Sequence, residues 1–328
     1  MSLWLATLLG PALVAWLAIA VLRRSPVAAR LADRPNARSL HATPTPRVGG
    51  IGIAVALVAA AAWLPLGGLA SLFLAALALA LLSAADDLRS LPVLVRLAAH
   101  GLAAAVATAL LPLPPGPLGW IAAAAAWLAI AWMTNLFNFM DGADGLAGGM
   151  AAIGFGAFSL AAALRGDVAL ALACAAIASA STGFLAHNFP PARVFMGDAG
   201  AIPLGFLAAA LGLQGVGSGA WSAAFPLLVF SPFIVDATVT VARRLARGER
   251  IWIAHRSHAY QRLVLAGWTH PRLARAAYAL MLAAAASALA GLGQGLMVQC
   301  AILLVWAACY AWLLFAIERR APMAGAAR

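Results

Sequence analysis

The chain is built from apolar runs of about twenty residues that recur from one end to the other, and this constrains its fold more than any other feature. A helix rising 1.5 Å per residue needs about 20 apolar residues to cross a ~30 Å hydrocarbon core. Broken at its polar, Pro and Gly clusters, the sequence yields eleven such runs: about 3–22, 48–65, 69–85, 93–111, 118–138, 146–164, 168–186, 199–216, 221–242, 273–293 and 296–317. Of 328 residues, 65% are hydrophobic and 9% charged. A soluble domain of that size cannot bury two thirds of its residues. The expected fold is all-α: a polytopic integral membrane helical bundle of about eleven transmembrane helices, with residues 1–328 forming one domain. Residues 1–22 lack a basic stretch ahead of their apolar run and are followed by Arg23-Arg24, which reads as a first span with its N-terminus outside rather than a cleaved signal.

Charge placement gives the orientation. The alternate segments 23–47, 86–96, 139–145, 187–198, 243–275 and 319–328 carry 20 of the 21 basic residues, all arginine, and only Arg165 falls on the other side. So lopsided a split predicts that this set is cytoplasmic, as is the C-terminus. The net charge of +11 would point to nucleic acid in a soluble protein. Here topology accounts for it, and no nucleic-acid partner is expected. The opposite face consists of short turns, and the Arg165-Gly166-Asp167 triplet in one of them reads as a chance match to an adhesion motif. Cys174, Cys300 and Cys309 lie inside apolar runs without metal-ligand spacing, and read as small core hydrophobes.

Nine of the ten acidic residues share the arginine-rich side, which orientation rules do not require. Asp86-Asp87 ends an apolar span, where a repulsive carboxylate pair calls for a cation; the plainer reading is a solvated helix end with Arg89 as counter-ion. Asn135, Asn138, Asp141 and Asp144 recur every third residue, which would put neighbours on one helical face and make a hard-cation or sugar-hydroxyl site. Asp144 is also expected to N-cap the helix that starts near Leu146. Asp198, between glycines ahead of the next span, can cap that helix or ligate a metal. The loop 243–272 holds four arginines that a positive-inside rule explains, then His255-Arg256-Ser257-His258, which could face one phosphate if helical. Arg47 and the glycines after it, with Asp33 through His41 upstream, suit an anion at a helix start or close helix packing.

Together these segments resemble the polyprenyl-phosphate N-acetylhexosamine-1-phosphate transferase family. The matching elements are Pro44-Thr45-Pro46-Arg47-x-Gly49-Gly50, Asp86-Asp87-x-Arg89, Asn135-x-x-Asn138-x-x-Asp141-Gly142-x-Asp144-Gly145, Val194-Phe195-Met196-Gly197-Asp198 and the histidine loop at 255–258. The resemblance implies a single transmembrane catalytic domain with cytoplasmic loops at 23–47, 86–96, 139–145, 187–198 and 243–272. It implies Mg²⁺, with Mn²⁺ as the alternative ion, held near Asp198 with Asn138, and a catalytic role for Asp86 and Asp87. Arg47, Asn135, Asp141, Asp144, His255, Arg256 and His258 would bind substrate. The expected reaction passes a sugar 1-phosphate from a UDP-N-acetylhexosamine to undecaprenyl phosphate, releasing UMP, on the cytoplasmic side of a bacterial inner membrane. A homodimer is compatible with the resemblance.

The peptidoglycan branch, which carries phospho-N-acetylmuramoyl-pentapeptide, usually shows three consecutive histidines and a lysine in the Asp-Asp motif. This chain has His255-Arg256-Ser257-His258 and Arg89, so an enzyme that starts O-antigen or related surface glycans is the closer resemblance. A secondary transporter is the rival from another class, but its acids would lie at the midplane of related halves rather than at one membrane edge.

Overall fold

A computed structural model describes residues 2–35, 40, 43–250, 253 and 255–323. The upstream anion-binding stretch that includes Asn36, Arg38 and His41 lies outside the described residues. Helix α1 (Ser2–Leu22) leads into the short α2 (Pro26–Arg30) and a two-stranded ribbon of β1 (Ala32–Asp33) and β2 (Thr45–Pro46), paired antiparallel with Ala32 opposite Pro46. There follow α3 (Gly49–Ala60), α4 (Ala70–Arg89, entered through a single 3-10 turn), α5 (Val93–Ala109), α6 (Pro117–Phe139), α7 (Leu146–Leu164), α8 (Val168–Asn188) and α9 (Asp198–Gly217). The chain ends with α10 (Ala224–Val229), α11 (Ser231–Ala246), α12 (Ala259–Leu265), α13 (His270–Ala290) and α14 (Leu296–Arg320).

All eleven apolar runs are largely helical, yet among the described residues eight helices are long and apolar enough to cross a membrane. The differences from eleven spans have local causes. Helix α3 has 12 residues, ending ahead of a turn at 61–63 and Pro65, and α5 has 17. The run 221–242 divides at Phe230, because Pro232 opens a new helix and has no N–H to continue the old one. Helix α4 continues past residue 85 through Arg89, because Asp86 is buried and ion-paired rather than left at a solvated end.

The core centres on α7, α8 and α9, with α1, α3, α4 and α6 packed around them. Small residues set the close crossings: a Cβ on Gly183 would stand 2.9 Å from Ala12 Cα and closer still to the Ala12 carbonyl oxygen, so α8 and α1 touch main chain to main chain. Helix α14 is peripheral, with Tyr310 the one buried residue among those described. Two of the cysteines therefore correct the expectation of a core role. Cys174 is buried, but Cys309 is half-buried and Cys300 exposed on α14. An apolar run does not distinguish core from lipid, since lipid accepts apolar side chains as readily as a protein interior does.

One feature of the packing brings distant motifs together. The Phe195 N–H donates to the Pro46 carbonyl, and the Gly49 and Gly50 N–H groups donate to the carbonyls of Phe195 and Met196, all at 2.9 Å. Residues 46–50 and 195–196 are thus stitched edge to edge, and α3 meets the first turn of α9 where Gly50 and Gly200 leave no room for a side chain.

Candidate active site

The stitched seam fixes Arg47 beside two carboxylates. Its guanidinium lies 2.8 Å from Asp33 and 3.4 Å from Asp87. Burial works to lower the Arg47 pKa, but the Asp33 hydrogen bond and the surrounding acids outweigh it and raise it, so Arg47 is a fixed positive charge. The two members of the Asp-Asp pair separate in role. Asp86 accepts the Leu91 N–H at 2.6 Å and pairs with Arg96 at 3.0 Å, so its oxygens hold the turn between α4 and α5. Its counter-ion is therefore Arg96 and not Arg89, which is exposed. Asp87 points the other way, toward Arg47 and within electrostatic range of Asp198.

The four-residue series at 135–144 does not lie on one helical face, because α6 ends at Phe139. Asn135 bonds to His100 at 3.2 Å, and Asn138 bonds to the Asp198 carboxylate. Asp141 sits in the loop beyond, where burial, and then the charge of Asp198, push its carboxyl well above the usual carboxylate range; the Gly197 N–H and Arg47 act against that rise. Asp144 is taken up elsewhere: it accepts the Ala192 N–H at 3.0 Å and lies 3.1 Å from His270 Nδ1. It does not cap α7. The cap is Gly145, at φ 75°, whose N–H goes to Asn188 at 2.9 Å. Helix α9 likewise takes Gly197, at φ 70°, as its cap, so the Asp198 carboxylate is not spent on capping.

The histidine stretch is not helical as the ligand-facing reading required. Helix α12 begins at Ala259, with His258 as its N-cap. The two rings nevertheless converge, their centroids 4.9 Å apart. Burial, and then His258, hold the His255 pKa down to about 4, so this imidazole is neutral. The loop is held by Asp236, a buried acid in α11 that accepts the Ala259 N–H at 2.7 Å and the Tyr260 N–H at 3.1 Å. His258 Nδ1 lies 3.6 Å from the same carboxylate, buried and without a hydrogen-bond partner. Tyr260 in turn donates to the Phe139 carbonyl at 3.0 Å, tying α12 to the end of α6.

These elements enclose a cleft of about 330 Å³ lined by Arg96, His100, Asn135, Asn138, Asp198, His255 and His258, with apolar walls from Val93, Leu97, Phe139 and Ile202. Asp87, Asp141 and Arg47 stand around Asp198 without lining the cleft; Asp86 and Asp144 are engaged as described, and Arg256 is exposed. A second cavity, about 450 Å³ and apolar, lies between α3, α4 and α9 and reaches Ala199 and Gly200, next to Asp198. Arg96, His100 and Asp236 were not singled out from the sequence. Asp236 carried a readable signal, since an acid inside an apolar run is costly and therefore functional by default.

Among the described residues no three His, Cys, Asp or Glu side chains form a metal-ligand group. The donor set still suits a hard cation of the Mg²⁺ kind, which takes one or two carboxylates and completes its shell with substrate phosphates rather than an all-protein cage. Asp198, uncapped and joined to the oxygen-bearing Asn138, is such a partial set.

A multi-span membrane helical bundle thus carries an oxygen-rich cleft flanked by arginines, an arrangement suited to phosphate-bearing substrates. Comparison with known proteins agrees. The profile described as Glycosyl transferase family 4 matches residues 69–216. The chain is 30% identical over 274 residues to a probable undecaprenyl-phosphate N-acetylglucosaminyl 1-phosphate transferase of Bacillus subtilis, covering 77% of this chain and 76% of that protein. It is 30% identical over 284 residues to the decaprenyl-phosphate N-acetylglucosaminephosphotransferase of Mycobacterium tuberculosis, covering 73% and 70%. A phospho-N-acetylmuramoyl-pentapeptide-transferase of Bacillus cytotoxicus matches at 48%, but over 80 residues, 24% of this chain and 25% of that protein. The chain belongs to the polyprenyl-phosphate N-acetylhexosamine-1-phosphate transferase family, and is a phosphoglycosyl transferase of the glycosyl transferase family 4 type.

Proposed function

We propose that this enzyme transfers N-acetylhexosamine 1-phosphate from a UDP-sugar to undecaprenyl phosphate, releasing UMP and starting a lipid-linked surface glycan of the O-antigen kind. The observation that carries this reading is the convergence of Asp198, Asn138, His255 and His258 on one cleft beside an apolar cavity. A polar mouth suits the nucleotide diphosphate, and the apolar cavity suits a prenyl chain. The arginine-rich side is read as cytoplasmic, in a bacterial inner membrane.

The chemistry joins two anions. A carrier phosphate oxygen attacks the β-phosphorus, the bond from that phosphorus to the bridging oxygen breaks, and UMP leaves with the electron pair. The acceptor's second pKa is near 6, so most of it is dianionic at neutral pH and strong general-base help is unnecessary. Asp87 orients the acceptor phosphate together with Arg47, and Arg47 offsets its charge. Neutral His255 offers a ring N–H to a phosphate oxygen without adding charge, and the His258 ring packed beside it lines the same cleft. Asp86 and Arg96 fix the turn that presents Asp87, and Asp141 supports the Asp198 side of the site. Asp198 and Asn138 would hold Mg²⁺ or Mn²⁺, which when bound screens the diphosphate and the developing charge on UMP.

The test is UMP release by purified protein given undecaprenyl phosphate and a panel of UDP-N-acetylhexosamines. Release is expected to stop in EDTA, to return with Mg²⁺, and to fall by about 10³-fold or more in Asp198→Ala. Undiminished turnover in chelator would remove the metal, and normal turnover in Asp198→Ala would remove the site.

A further inference from the structure

A separate opening of about 480 Å³ lies on the far side of α12, between α13 and α14. Its sides are apolar, including Ala276, Leu280 and Met281 from α13 and Leu313 and Ile317 from α14. On α14 it extends from Tyr310 to Arg320, ten helical steps or about 15 Å, which is one leaflet's share of the hydrocarbon core. Helix α14 is held here by polar ties to α11 and α12 rather than by packing on α13: Tyr310 to Ser231 at 2.6 Å, and Arg262 to Glu318 at 2.8 Å. The opening is therefore an apolar slot beside α14, distinct from the cleft and from the cavity between α3, α4 and α9.

The rim of the slot is positive. Arg320 lines it, Arg319 lies over the Phe315 ring at 5.0 Å, and Arg272 lies over Trp268, itself a wall of the slot, at 4.2 Å. The acid at that end, Glu318, is already engaged by Arg243, Arg262 and the Met323 N–H. An apolar slot one leaflet deep beneath arginines is complementary to an amphiphile with a negative headgroup. We propose that this slot binds an anionic phospholipid, with one acyl chain between α13 and α14 and the phosphate at the arginine rim. Asp236 and Tyr260 also line the slot, so the bound lipid adjoins the two residues that hold the histidine loop.

The experiment is native mass spectrometry of the full-length protein released from nanodiscs of phosphatidylcholine mixed with phosphatidylglycerol. The wild type is expected to retain phosphatidylglycerol in preference. Ala276→Trp, which fills the slot from an exposed position, is expected to abolish retention. Arg320→Glu, on the exposed rim, is expected to keep the fold and reduce the headgroup preference by about fivefold or more. Equal retention of the two lipids by the wild type, retention indifferent to both substitutions, or polyprenyl phosphate as the species displaced by Ala276→Trp would each overturn the proposal.

Discussion

Replacing Gly50 with alanine tests the claim that the spacing of α3 and α9 sets the geometry of the cleft. A Cβ at Gly50 would lie 2.5 Å from Gly200 Cα and 2.6 Å from the Ala199 carbonyl carbon. The Gly200 N would be nearer still; ordinary contact begins near 3.4 Å, so the methyl is short of room by about 1 Å, and the obstructing atoms are main chain that no rotamer change can move. Helices α3 and α9 must part by about that distance. Asp198 is the first residue of α9, two positions before Gly200, and the 2.9 Å bond from Gly50 to Met196 would be stretched in the same motion. A misplacement of about 1 Å at a reacting centre costs on the order of 10²-fold in rate. Gly50→Ala is therefore expected to lower kcat for UMP release by about 10²-fold. Gly156→Ala in α7, where the added methyl meets nothing within 4 Å, is expected to leave it unchanged. Thermal unfolding of both variants separates lost geometry from lost fold. Wild-type turnover by a Gly50→Ala protein would refute the reasoning.

Asp236→Ala leaves two buried N–H groups without acceptors, at about 1–3 kcal/mol each, and is expected to lower turnover by roughly 10- to 100-fold, with Asp236→Asn retaining more because one acceptor survives. Wild-type activity in both variants would show that the histidine loop does not depend on this carboxylate. The neutral state of His255 has a sign that melting curves can check. Its folded pKa of about 4 lies below the unfolded value near 6.5, so the unfolded chain binds more protons between them. Stability is expected to rise with pH from about 4 to about 6.5 through this residue and to be flat above. His255→Gln should flatten that part of the profile, and an unchanged slope would mean that another group is responsible.

The existence of the helices and the grouping of acids on one side were legible because both follow from solvation: a run of twenty apolar residues has few alternatives, and stranded carboxylates need a partner. Boundaries were less legible where tertiary contacts overrule composition. The buried Asp86–Arg96 pair carries α4 past its apolar stretch, and Pro232 divides what composition reads as one span. The candidate site was half visible. Asp87, Asn138, Asp198 and the two histidines converge as their motifs suggested, but periodicity placed Asp144 with Asp141, whereas the loop at 140–145 turns Asp144 to His270. Arg96 and His100 were hidden because their role depends on α5 lying against α6 across the cleft, a contact that no local pattern encodes.

The Asp86–Arg96 pair spans ten residues, whereas the Gly49 and Gly50 bonds to 195–196 and the Asp236 bonds to α12 join segments made at different times on the ribosome. During synthesis the early hairpin of α4 and α5 can enter the bilayer with its costliest charge already neutralised by a neighbour, requiring nothing from later sequence. The seam closes only after α9 emerges, and the histidine tip only after α12. A nascent chain halted before residue 259 would hold the seam and the α4–α5 hairpin but lack the Ala259 and Tyr260 N–H groups on which Asp236 closes the histidine loop.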